Sequence, residues 1–420
     1  MGVTKTNFVW KFFGVLGPGL VTGAADDDPS GISTYSVAGA SLGYGPLWTA
    51  LLTFPLMAAV QLMCARLGMV TGLGFAASVR RRFPRWVLWS ACGLLTIANI
   101  TNVAADLGGM AEVTAMVSHT SALIWTPFYA LLITALLFWS SYRFIATTFK
   151  WLTLVLFAYV IAAFFAKPDW PAVLSATFVP HIAFTRDFFS VLVAILGTTI
   201  SPYLFFWQAA QEVEEKNALG RLRSMKPKRA TNQELDDSRV DVVTGMLFSN
   251  VIMYFIILTT AATLHAKGQT HIETARQAAE ALLPLAGRGA YWLFSLGLIG
   301  TGMLGVPVLA GSCAYAVSEA AGWRRTLDRP PQRCPEFYAV IAIAMAAGLA
   351  LNYAGVSAVK MLFWSAVVNG VLAPPLILLV ILLTSDAKVM GKRVNSPVVR
   401  WLGWATFAIM TTAAIALFVA

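Results

Sequence analysis

Residues 23–35 read GAADDDPSGISTY and set three carboxylates, Asp26, Asp27 and Asp28, side by side in an otherwise apolar stretch. That stretch, from 10 to 42, is 33 residues long and also holds GPG at 17–19, with Pro29, Ser30 and Gly31 following the acids. A helix needs about 20 residues to cross the hydrocarbon core, so one straight crossing does not use it up. An ionised aspartate at bilayer depth is expensive unless it is paired, hydrated or bound to a cation. Three in a row, roughly 100° apart around a helix, cannot converge on one point. The segment is therefore expected to unwind, letting one or two carboxylates meet a cation while the others meet water, with backbone carbonyls such as that of Ala25 as neutral oxygen donors.

The rest of the chain supplies the membrane this reading needs. Of 420 residues, 58% are hydrophobic and 12% charged, and the mean hydropathy is +0.70. That leaves too little polar surface to coat soluble domains of this size. Apolar runs of spanning length recur at 10–42, 46–70, 86–117, 121–142, 149–166, 187–211, 241–265, 290–318, 337–353, 357–384 and 398–420. Helices satisfy their own backbone in lipid, and the alternating pattern of a barrel strand is absent from the sequence, so the expected fold is an all-α polytopic membrane protein of about eleven helices.

The net charge of +10 concerns orientation rather than nucleic acid. With the N-terminus inside, 23 of the 30 basic residues fall in cytoplasmic segments, among them Lys5, Lys11, Arg80, Arg81, Arg82, Arg85, Arg143 and Lys150. Seven more of that set lie in a loop over 212–240, and only Lys167, Arg186, Lys267, Arg276 and Arg288 fall outside. Such asymmetry predicts a cytoplasmic N-terminus and an external C-terminus in the cell membrane. Cys64, Cys92, Cys313 and Cys334 have no paired spacing and read as small apolar fillers. His119, His181, His265 and His271 fall in external loops or at a span end and read as solvated. Residues 273–290, ETARQAAEALLPLAGRGA, read as a packed helical cap on the outer surface.

A second interrupted span lies five spans after the first. ILGTTISPYLFFW, 195–207, places Gly197, Thr198, Thr199, Ser201 and Pro202 mid-span, where proline removes a backbone bond and glycine loosens the turn. Two such spans suggest an inverted repeat of five helices over 10–166 and five over 187–384, with 398–420 appended, in one transmembrane domain over 1–420. Broken helices then face each other at the bilayer midplane. On the third span, TIANITNVAADLGGMAEV, 96–113, carries Asn99, Asn102, Asp106 and Glu112. Asn99 and Asp106 are seven apart and share a helix face, which makes Asp106 a candidate second acid on the ion path. Asn369 and Gly370 are weaker candidates. HExxH and Ser/His/Asp patterns are absent from the sequence, which argues against an enzyme.

GPGLVTGAADDDPSG (17–31), with DPSG standing where a DPGN signature would, ARLGMVTG (65–72), AADLGGMAEV (104–113) and GTTISPYL (197–204) resemble the motifs of the Nramp family of divalent-metal transporters along the whole chain. The resemblance implies a LeuT-like inverted repeat with helices 1 and 6 broken, alternating access and a midplane metal site, with the transported metal as substrate and no cofactor. It places the family's metal-binding aspartate on Asp28, its asparagine on Gly31, its carbonyl-donating alanine on Thr198, its methionine on Ser201 and the following histidine on Tyr203. The acid implicated in proton movement falls on Asp106, and an upstream glutamate on Asn99.

Those departures matter. A thioether favours softer transition metals, whereas hydroxyls, carboxylates and water suit Mg²⁺ and Mn²⁺. The candidate metal set is thus Asp28, Asp27, Ala25, Gly31, Thr198 and Ser201, and the candidate ion or proton path is Asp26, Asn99, Asp106 and Tyr203. Losing the methionine and asparagine side chains is expected to widen the pocket for a hydrated ion. The pattern is similar to Nramp-related magnesium transporters and predicts Mg²⁺ or Mn²⁺ transport with weak or no proton coupling. A proton-coupled Mn²⁺ or Fe²⁺ importer and a LeuT-fold organic solute transporter remain the alternatives. Divalent metal ions and the lipid bilayer are the expected partners, nucleic acid is not, and oligomeric state is not encoded.

Overall fold

The structure, a computed structural model, describes residues 17–140, 154–218, 230–327, 329–355 and 357–419. All its regular elements are helical. The first crossing is broken in two, α1 (Pro18–Asp26) and α2 (Pro29–Leu42). Then come α3 (Trp48–Thr71), the short α4 (Phe75–Arg82), α5 (Arg85–Ser118), α6 (Ala122–Trp139), α7 (Phe157–Phe165) and α8 (Trp170–Phe178). A second broken pair, α9 (Arg186–Thr199) and α10 (Pro202–Ala218), opens the second half. It continues through α11 (Asn232–Thr263), α12 (Ala290–Ala321), α13 (Pro335–Asn352), α14 (Ala358–Ser385) and α15 (Pro397–Val419).

Both breaks have the same local cause. Pro29 and Pro202 sit at the first position of α2 and α10, where a missing N–H costs nothing but the preceding helix cannot continue through. Among the described residues, nine helical stretches are long and apolar enough to cross a membrane. The α1–α2 pair and the shorter apolar stretch Leu154–Phe165 correspond to the two remaining expected spans. Residues 10–16, 141–142 and 149–153 of the expected spans lie outside the described residues, as do Lys5, Lys11, Arg143 and Lys150.

The loop expected over 212–240 is corrected. Helix α10 runs on to Ala218 and α11 begins at Asn232, so the charged residues at either end belong to helical extensions; 219–229 lies outside the described residues. Thr231 and Glu234 form a reciprocal cap on α11. Glu212 is buried between the two extensions, accepting from Gln208 Nε2 at 3.1 Å and Ser238 Oγ at 3.0 Å. Gln208, Glu212 and Ser238 thus hold one another across the two extensions, whereas Asn232, Gln233, Asp236 and Arg239 are exposed.

Helix α11 is the strut on which the first break rests. Gly23 of α1 faces Gly245 so closely that a methyl group there would strike the Gly245 backbone, and Gly39 of α2 meets α11 at Ile257 and Thr260 in the same way. Small residues let helices approach to backbone contact where lipid supplies no hydrophobic drive between them. The second break is backed by α14, with Gly197 against the backbone of Ala366 and Gly370. Gly370 is thus a close-packing residue. The cap over 273–290 is present as short helices, Ala275–Ala279 and Leu283–Ala286, with Ala275, Ala278 and Leu282 buried. Glu112 accepts from the Ala275 amide at 2.8 Å and so serves the cap rather than the break. The four cysteines are free and buried. His265 is corrected from a solvated residue to a bridge, its Nδ1 lying 2.7 Å from the Ala40 carbonyl oxygen of α2.

Candidate functional site

Asp28 is the N-cap of α2. Its backbone is extended, with φ −68° and ψ 172°, and its Oδ1 accepts from the Gly31 amide at 2.8 Å. Its Oδ2 lies 3.3 Å from the Tyr203 hydroxyl, which is also 3.0 Å from the Ala25 carbonyl oxygen. One hydroxyl carries one proton, so Tyr203, the second residue of α10, serves these two oxygens alternately and ties one break to the other. Asp26 and Asp27 turn elsewhere. Both face Ser249 of α11, whose hydroxyl is 2.6 Å from Asp26 Oδ2 and 3.2 Å from Asp27 Oδ1. The run of three acids is therefore split, Asp28 toward α10 and the other two toward α11.

Asp106 joins Asp28 from α5. A methyl group on Gly305 of α12 would lie 3.0 Å from Asp28 Cβ and 3.8 Å from both the Ala25 carbonyl oxygen and Asp106 Oδ2. Gly305 thus marks the point where the break, α5 and α12 meet, and its lack of a side chain leaves room between the two acids. Asp26, Asp27, Asp28 and Asp106 are each at most 3% exposed. Among the described residues none forms an ion pair with lysine or arginine, and no side chain donates a hydrogen bond to either Asp106 oxygen. Buried carboxylates without cationic partners demand a cation or protons.

The other sequence candidates divide. Thr198 lies against Gly31, its Oγ1 3.1 Å from where a Gly31 methyl group would stand, with Asp26 O at 3.2 Å and the Tyr35 ring at 3.5 Å. The expected widening at Gly31 is therefore not found: Thr198 and Tyr35 fill that space. Gly31 offers the break its amide donor and no side-chain oxygen. Ser201 is at the break, donating to the Gly197 and Thr198 carbonyls at 2.9 and 2.6 Å, which leaves its lone pairs free. Asn99 stands two helical turns from Asp106 and donates to the Leu309 carbonyl at 2.9 Å, away from the break. On the same face Asn102 is buried, with no partner among the described residues. Asn369 is buried on α14 with its carbonyl oxygen likewise unpartnered. Ser249 and Gly305 were not found by sequence reasoning, because one is a serine among many in apolar spans and the other one of 32 glycines.

At the end of the bundle carrying the arginines of α4, Asp241 of α11 holds the start of α1. Its carboxylate accepts from the amides of Gly17, Gly19 and Leu20 at 2.8, 2.6 and 3.0 Å, capping the start of α1. The Thr22 hydroxyl, 2.6 Å from Gln208 Oε1, adds a tie from α1 to α10.

Two discontinuous helices, opposed across a buried acidic site and packed on long uninterrupted ones, make a membrane protein of LeuT-like fold. A family model described as natural resistance-associated macrophage protein-like, Nramp, matches residues 19–420, and the chain belongs to that family. It is an integral multi-pass transport protein and not an enzyme. The divalent metal cation transporter MntH of Caldanaerobacter subterraneus subsp. tengcongensis is 26% identical over 406 residues, covering 94% of this chain and 90% of the relative. MntH of Aeromonas hydrophila is 26% identical over 402 residues, covering 93% and 91%. Among solved structures, a manganese transporter of Eremococcus coleocola superposes with a TM-score of 0.78 at 19% identity, over 99% of this chain and 88% of that one. The nucleobase-cation-symport-1 transporter Mhp1, in a closed conformation, gives 0.60 at 14% identity over 96% and 91%.

Proposed function

We propose that this chain carries a divalent cation, Mg²⁺ or Mn²⁺, across the cell membrane by alternating access, binding it at the break between α1 and α2. The observation that carries this reading is the burial of Asp28 and Asp106 beside Gly305, with Asp26 and Asp27 buried on Ser249, all four without a basic partner among the described residues. Asp28 supplies the charge at the ion, the Ala25 carbonyl, Thr198 and Ser201 supply neutral oxygens, and Asp27 lies next along the chain. A donor set of oxygens alone suits hard cations that keep part of their water. The relatives named as divalent metal cation transporters favour a metal over an organic solute. Asp241 and Gln208 hold α1 shut at the basic end, which the charge asymmetry assigns to the cytoplasm together with the N-terminus. The repeats run over 10–166 and 187–384. Proton coupling is weak or absent, since Tyr203 and Asn99 offer no group that titrates near neutral pH.

Uptake into liposomes bearing the purified protein tests this reading. Mg²⁺ and Mn²⁺ are expected to enter at rates at least tenfold above empty vesicles and to compete with each other. Entry of an amino acid with no metal entry would instead establish the organic-solute reading.

A further inference from the structure

At the basic end of the bundle two cavities meet at Arg82. The larger, about 830 Å³, lies between the end of α3, helix α4 and the short helix Ala387–Met390, and its walls carry Arg81, Arg82, Lys388, Lys392 and Arg393. One acid stands beside them: Asp386 accepts from Arg82 Nε at 2.6 Å and from the Lys388 amide at 2.8 Å. These donors hold the Asp386 carboxyl below the usual carboxylate range, so it stays ionised and offsets a single charge. Five basic side chains thus face one acid. The Arg393 guanidinium is fixed by neutral acceptors, the Ala230 carbonyl and Asn232 Oδ1, which position its charge without cancelling it.

The second cavity, about 470 Å³, sets apolar walls, Phe83, Ile381, Leu382 and Trp404, against the polar Arg82, Ser385, Asp386 and Arg400. Leu382 and Trp404 are 41% and 39% exposed, and Trp86 and Trp401 nearby in sequence are 71% and 72% exposed. Exposed tryptophans at the ends of apolar helices mark the interface between headgroups and acyl chains. Trp86, Trp401 and Trp404 therefore set this end of the bundle at the membrane interface, where a basic cavity and an adjoining one with apolar walls suit a headgroup and an acyl chain. A free anion has use for the first alone, whereas a lipid fills both.

We propose that these joined cavities bind one anionic glycerophospholipid, its phosphodiester held among Arg81, Arg82, Lys388 and Lys392 and an acyl chain lying along Leu382 and Trp404. Basic pockets between membrane helices suit anionic headgroups, and each Lys or Arg near a lipid phosphate contributes on the order of fivefold in affinity. Occupancy clamps α4 to the end of α14, two elements already joined through Arg82 and Asp386.

Native mass spectrometry of the full-length protein in neutral detergent, mixed with equal amounts of phosphatidylglycerol and phosphatidylcholine, tests this directly. Wild type is expected to retain one phosphatidylglycerol at least tenfold over phosphatidylcholine. The triple variant Arg81→Gln, Lys388→Gln, Lys392→Gln is expected to lose that preference, while Arg288→Gln, at the far end of α12, keeps it. Equal retention of the two lipids by wild type, an unchanged preference in the triple variant, or equal loss in Arg288→Gln overturns the proposal. Full displacement of the lipid by 10 mM inorganic phosphate overturns it in favour of a free-phosphate site. Circular dichroism and retained metal uptake show that the triple variant is folded.

Discussion

Asp28→Ala is expected to abolish metal uptake at matched protein levels, whereas Asp26→Ala is expected to leave part of it and Asp27→Ala to fall between. Removing one carboxylate from a buried cation site costs on the order of 3 kcal/mol, about a hundredfold in affinity. Asp28 also caps α2, and loss of a cap costs about 1 kcal/mol of stability. Asp28→Asn separates the two effects. Asparagine caps as well as aspartate but carries no charge, so this variant is expected to melt within a few degrees of wild type and still fail to transport. Full uptake by Asp28→Ala contradicts the site assignment. Uptake by Asp28→Asn with loss in Asp28→Ala would mean that the residue acts through the cap and not through the ion.

Asp241→Ala is expected to release α1. Three amides on one carboxylate are charge-assisted bonds, and their joint loss is expected to shift the balance between closed and open at the basic end by about 2–4 kcal/mol, roughly thirtyfold to several hundredfold. A transporter held open at one end completes fewer cycles, so uptake falls although Asp241 touches no ion. The check is labelling of Ala24→Cys, on the buried face of α1, by a water-soluble maleimide. Asp241→Ala should speed that labelling at least tenfold over the same reporter with Asp241 intact. Unchanged labelling would show that packing on α11 and the Thr22–Gln208 bond hold α1 without Asp241.

Composition and two prolines made most of the architecture legible in advance. Pro29 and Pro202 each start a helix, and the acids or glycine and threonines before them have no reason to sit in lipid otherwise. The partners of those acids were not legible. Ser249 matters because α11 passes the break at backbone distance, which Gly23 and Gly245 permit only jointly. Gly305 matters because Asp28 and Asp106 crowd its Cα from two other helices. Neither fact has a local signature. Asn99 shares a face with Asp106 but stands about 10.5 Å from it along the axis, so the spacing did not reveal that its amide is spent on the Leu309 carbonyl. Over 212–240 charge density hid how far the helices reach, to Ala218 and again from Asn232, with Glu212 buried and hydrogen-bonded between them. Gly31 showed that deleting a side chain does not by itself widen a site, since Tyr35 and Thr198 occupy the space.

The central claim is that a divalent metal crosses through the carboxylate site without carrying protons with it. A proton relay needs groups that titrate near ambient pH. Tyrosine ordinarily titrates near 10 and asparagine not at all, so a proton is left only the carboxylates of the site, which on this account the ion itself holds. The most direct measurement records Mg²⁺ or Mn²⁺ entry and internal pH together in proteoliposomes held at a negative internal potential. The account predicts metal entry that depolarises the vesicles with no acidification beyond that of empty ones. Acidification that tracks metal entry, is lost in Asp106→Asn and is absent from empty vesicles would contradict it.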